Sequence, residues 1–171
     1  MTRRDYLTKW LCYAAALLPA LILEFSVFAR WPLLGITPLL LPVCALCVAT
    51  LEASVGGVGY GLFCALLWSA AVPGDRGGMI LLLPRLCLLA SLLSQRMLSR
   101  SLLGTLLCTL LGLLIWEAFL VALHLFARSA PLLPLLGVAV PELLLSLVFL
   151  LPLYPLLRAV WRKVGGTRLS D

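Results

Sequence analysis

Histidine occurs once in this chain, at His124, and aspartate three times, at Asp5, Asp75 and Asp171. One histidine cannot make an H-E-x-x-H zinc helix, and no pair of aspartates lies inside an apolar run. No serine stands at a spacing from His124 that marks a nucleophile and its base. Charge is scarce as well: 12% of residues are charged, against about 25% in soluble domains. That shortage excludes a water-soluble fold. The tails before Trp10 and after Leu157 are too short to bury cores of their own. The reading is therefore of a protein that is no enzyme, with no catalytic residues, no cofactor and no metal site.

What the chain has is apolar surface. Hydrophobic residues make up 63% of its 171 positions, and mean hydropathy is +1.14. The expected class is an all-α, polytopic membrane protein forming one integral membrane domain over 1–171. The net charge of +6 comes largely from basic residues near the termini, which points to membrane orientation and not to nucleic acid. Cys12, Cys44, Cys47, Cys64, Cys87 and Cys108 all lie inside apolar runs, where cysteine acts as a small hydrophobe. Cys44 and Cys47 form a C-x-x-C, but no second pair and no histidine completes a ligand set.

A spanning helix needs about 20 apolar residues. Six runs qualify, at about 10–29, 33–51, 53–72, 79–95, 102–127 and 131–157. The first follows Arg3, Arg4 and Lys9 and is too long for the core of a signal peptide, so it is read as a retained helix. Proline and glycine mark the breaks. With the N-terminus inside, nine basic residues fall on the cytoplasmic side (Arg3, Arg4, Lys9, Arg96, Arg100, Arg158, Arg162, Lys163, Arg168) and three outside (Arg30, Arg76, Arg128). That asymmetry predicts both termini in the cytoplasm. The second and third runs, joined only at Glu52, are alternatively a short helical hairpin that does not fully cross.

Two features stand out within the runs. Every fourth residue from Ala53 is small: Ala53, Gly57, Gly61, Ala65, Ser69. Helices associate in lipid where small residues let backbones approach, so this ladder packs against a neighbouring helix of the same chain or against a partner's. No lysine with serine or threonine follows the glycines, so they are not a phosphate loop. The second feature is a set of ionisable residues at bilayer depth: Glu24, Arg85, Glu117, His124 and Glu142. Helical rise puts Glu24 and Arg85 about 7–10 Å, and Glu117 and Glu142 about 15 Å, inside the outer boundary. Buried charges pair, so a polar cluster is expected in which Arg85 reaches Glu24 or Glu117. His124 lies seven residues beyond Glu117 on the same face.

The layout resembles a known family. A basic first span leads to the Pro-initiated run TPLLLPVCALCVATLE (37–52). The glycine-rich run ASVGGVGYGLFCALLWSAAV (53–72) follows, then the turn PGDRGGMILLL (73–83), and a basic tail closes the chain after LLPLYPLLRAVWRK. This is similar to the rod shape-determining protein MreD family, whose acidic residues after the proline and late in the glycine-rich helix correspond here to Leu39 and Ser69. The resemblance implies a scaffolding subunit of the bacterial cytoplasmic membrane. It would work beside a bitopic MreC-like partner and link MreB filaments to RodA-type and penicillin-binding-protein synthases of peptidoglycan. A second family with similar size and layout is the substrate-binding S components of energy-coupling-factor transporters. Their alanine contact in the first helix is matched by Ala16 and Ala20, with Pro19 between them.

Overall fold

The computed structural model describes residues 3–28, 30–31, 36–52, 54–72, 77–96, 102–126 and 132–164. Six α-helices occupy them: α1 (Arg3–Ile22), α2 (Leu40–Leu51), α3 (Ser54–Ala71), α4 (Gly78–Arg96), α5 (Leu102–Phe126) and α6 (Leu132–Val164). A π-helical segment, Leu23–Phe28, continues α1 without a break. Four stretches are long and apolar enough to cross a membrane: Leu7–Phe28, Gly78–Gln95, Leu102–Phe126 and Pro134–Lys163. The fold is that of an all-helical, multi-pass membrane protein.

The count of crossing helices is smaller than the count of apolar runs. Helix α2 starts at Leu40, well into the run expected from 33, and holds 12 residues. At about 1.5 Å per residue it covers some 18 Å, short of the roughly 30 Å hydrocarbon layer. Helix α3 is likewise a shorter apolar helix. Residues 32–35, where the second run was expected to begin, lie outside the described residues.

Helix α2 is the centre of the molecule. All 12 of its residues are buried, and it packs against α1, α3, α4, α5 and α6. A helix apolar on every side is covered either by lipid or by other helices, and here helices enclose it. Pro42 is tolerated because it falls in the first turn, where a backbone N–H has no intrahelical partner. The helix ends at Glu52, which turns extended (φ −92°, ψ 164°) while its N–H still bonds to the Val48 carbonyl.

Contacts along α2 fix the direction of its neighbours. Its N-terminal Leu41 meets Glu24 and its C-terminal Glu52 meets Lys9, so it runs antiparallel to α1. Helix α3 turns back: Gly57 lies against Ala49, and farther along Trp68 lies against Phe25. Helix α4 returns, with Gly61 of α3 against Cys87, and Ser94 bonded to the Thr50 carbonyl. Helix α5 rises again from Thr105, beside Thr50, to Gly112, beside Leu46. One end of the bundle therefore gathers the start of α1, the end of α2 and the end of α4. Between α3 and α4 the chain passes Gly77 at φ +77°, a left-handed backbone that glycine adopts without a Cβ clash.

Candidate functional site

Two polar centres sit at opposite ends of α2. The one at its N-terminal end solves a problem that the short helix creates. Its first N–H groups lie inside the bundle, where no water can satisfy them. The Leu41 N–H donates to Glu24 Oε2 at 2.9 Å, and the Leu39 N–H donates to Ser146 Oγ at 2.9 Å. The Ser146 hydroxyl in turn donates to the Glu142 carbonyl at 2.7 Å. A carboxylate at a helix N-terminus also faces the positive end of the helix dipole. Glu24 thus caps α2 from another helix. The π-helical turn that carries Glu24 follows Pro19, which leaves the Ala15 carbonyl without its intrahelical donor.

Glu24, Glu142 and Glu117 come together here from three helical segments, Glu142 lying within electrostatic range of both others. The rest of the expected cluster does not join them. Arg85 is exposed on α4, and among the described residues no carboxylate lies within ion-pair distance of it. His124 is exposed in the last turn of α5, with Nδ1 2.8 Å from the Leu120 carbonyl. A place in an apolar run does not fix the direction in which a side chain leaves its helix, and Arg85 faces out of the bundle. An arginine's long stem lets the guanidinium reach the interface from a lipid-facing position without a carboxylate partner.

Glu24→Gln keeps a side-chain oxygen for the Leu41 N–H, so stability should stay near wild type. Glu24→Leu leaves that N–H buried without an acceptor and should cost about 1–3 kcal/mol. Thermal unfolding in mild detergent measures the difference, and equal melting temperatures for the two variants would contradict the capping role.

The second centre lies at the C-terminal end of α2. Lys9 Nζ bonds to Glu52 Oε2 at 2.5 Å, and Tyr13 Oη donates to Glu52 Oε1 at 2.8 Å. Both members of the ion pair are about nine-tenths buried. Beside them Thr50 Oγ donates to the Cys47 carbonyl at 2.8 Å and lies 3.2 Å from Thr105 Oγ, while Ser94 Oγ donates to the Thr50 carbonyl at 3.0 Å. The last turn of α2 is thus tied to α1, α4 and α5 by side chains that all sit near helix ends. The sequence signal was the placement of Glu52, an acidic residue alone between two apolar runs, with Lys9 as the basic residue nearest the start of the first.

The glycine ladder is consumed within the chain. A Cβ on Gly57 would lie 2.7 Å from the Ala49 Cα, and one on Gly61 would lie 2.6 Å from Cys87 Sγ. Ala65 is buried and Ser69 half-buried, while Ala53 lies outside the described residues. The ladder is a packing face against α2 and α4. Helix α5 carries a second ladder of the same spacing. Gly104, Cys108 and Gly112 are buried on α5, and a Cβ on Gly112 would lie 2.6 Å from Leu46 Cδ1. All six cysteines are free thiols.

These observations define a class: a small, multi-pass helical membrane protein built around a buried, doubly anchored short helix. Compared with models of protein families, with curated proteins and with solved structures, the chain finds no match in any of the three.

Proposed function

We propose that this chain is a non-enzymatic scaffold subunit of a bacterial cell-elongation complex, of the MreD type. In this reading it lies in the cytoplasmic membrane with both termini inside. It joins a bitopic MreC-like protein and, through it, MreB filaments and the RodA-type and penicillin-binding-protein synthases of peptidoglycan. The observation that carries the reading is the fate of the two runs on which the resemblance rests. The Pro-initiated run becomes the enclosed helix α2. The glycine-rich run becomes α3, packed on α2 at Gly57 and Ala49. The basic positions Arg3, Arg4, Lys9 and Arg96 also fall at one end of the bundle, the end that the positive-inside rule assigns to the cytoplasm.

The transporter reading is less well supported. It needs Ala16 and Ala20 as an outward contact, and Ala20 is 1% exposed, enclosed by the chain's own core.

Affinity capture of the full chain from bacterial membranes in mild detergent tests the proposal. Recovery of a bitopic cell-elongation protein in near-stoichiometric amount is the expected result. Recovery of a transport ATPase pair would overturn the proposal in favour of an S component, and recovery of neither would overturn it outright.

A further inference from the structure

Between α1 and α3 runs an apolar groove of about 420 Å³. Leu7 and Leu11 of α1 and Val55, Gly59, Tyr60 and Phe63 of α3 line it. The groove opens to the surface of the bundle: Leu11 is 69% and Val55 85% exposed. From the geometry of this groove we propose that it holds one acyl chain of an anionic phospholipid from the leaflet at the basic end of the bundle.

Three observations support that occupant. The first is Gly59. Glycine inside a helix costs about 0.5–1 kcal/mol relative to alanine, and Gly57 and Gly61 answer for it by close packing against α2 and α4. A Cβ on Gly59 would meet nothing within 4 Å. The space it leaves belongs to the groove and not to packing within the chain. The second is length. Leu7 to Ala14 on α1 and Val55 to Phe63 on α3 each span about two helical turns, roughly 10–12 Å. That fits within one leaflet, about half of the 30 Å hydrocarbon layer. A crossing helix of a partner would lie against the groove over only a third or so of its length. The third is charge. The groove sits toward the end of the bundle that carries Arg3 and Arg4 in the first turn of α1, with Arg96 ending α4. Basic clusters at the membrane surface attract anionic headgroups.

The inference does not depend on which proteins the chain assembles with. The full chain, extracted in mild detergent and exposed to vesicles of mixed phosphatidylglycerol and phosphatidylethanolamine, is analysed by native mass spectrometry. Wild type should retain one phosphatidylglycerol. Gly59→Leu displaces about two buried methylenes and should lower retention about tenfold with an unchanged melting temperature. Should Gly59→Leu unfold, Leu11→Trp fills the same space from an exposed position and makes the same test. The double variant Arg3→Gln/Arg4→Gln should retain lipid without preferring the anionic kind. Undiminished retention in both groove-filling variants would overturn the proposal. So would a photoreactive residue at position 11 that crosslinks in native membranes to a protein segment instead of to lipid.

Discussion

Gly57→Leu should abolish recovery of a monodisperse folded protein, whereas Gly59→Ala, two residues away on the same helix, should be neutral or slightly stabilising. The contrast comes from what each position faces. The Cβ of any residue at 57 would stand 2.7 Å from the Ala49 Cα and 3.1 Å from its Cβ. The first of these is backbone in a helix buried on all sides, so no rotamer change relieves it. Either α2 or α3 has to move, and α2 is held at both ends by Glu24, Ser146, Thr105 and Ser94. Overpacking a well-packed core costs about 1–3 kcal/mol even for added methylenes. Gly57→Ala should fall in that range, and leucine, with three more carbons, beyond it. Gly61→Leu should be intermediate, because its nearest obstacle is the Cys87 side chain at 2.6 Å, which has a rotatable bond. Gly59→Ala adds a methyl to open space and removes glycine's helix penalty, a gain of about 0.5–1 kcal/mol. Size-exclusion profiles after graded heating would read all four. A Gly57→Ala melting temperature equal to that of Gly59→Ala would show that the helices are not in close contact.

The order of the helices was legible because a membrane leaves the chain few options. Inside hydrocarbon every backbone polar group needs an internal partner, so an apolar run becomes a helix. The runs at 79–95 and 102–127 accordingly became Gly78–Arg96 and Leu102–Phe126. The run beginning at 33 behaved differently, because hydropathy records which residues avoid water and not where a helix starts. Leu39 is as buried as the helix that follows, yet its N–H is held by a side chain of α6, and the N–H of Leu40, which opens the helix, by the Pro38 carbonyl. Enclosure by other helices and burial in lipid give the same signal in sequence.

The sites were legible only in part, for the same reason. Glu24, Glu117 and Glu142 are conspicuous as charges in apolar runs, and their convergence follows from the need to leave the lipid. Glu24's task as a cap exists only because a helix begins beside it, 17 residues later in the chain. The four-residue ladder from 53 announced close packing but not its target. Gly57 and Gly61 turned out to serve two different helices.

Lys9→Met should lower stability by about 3–5 kcal/mol, the range for removing one partner of a buried ion pair, and the double variant Lys9→Met/Glu52→Gln should recover most of it. The lysine's attraction offsets the desolvation of a carboxylate that is 8% exposed. Without it, Glu52 keeps only the Tyr13 hydroxyl at 2.8 Å. Glutamine at 52 carries no charge to leave unpaired, and its carbonyl oxygen still accepts from Tyr13. Methionine fills the volume of the lysine stem. The consequences extend beyond the pair, because the Tyr13 ring also packs at a tilt against Trp10 and Tyr60, with ring centroids 5.9 Å away in each case. The Tyr60 hydroxyl donates in turn to the Tyr13 carbonyl at 3.4 Å. An unpaired carboxylate would draw water into this end of the bundle and loosen the packing of α1 on α3. Trp10 fluorescence should therefore shift to the red in Lys9→Met and return in the double variant. Melting temperatures of the two single variants, the double variant and wild type close a thermodynamic cycle. Additive losses in the double variant would mean that Lys9 and Glu52 act separately. Recovery in the double variant would mean that the pair couples the start of α1 to the end of α2.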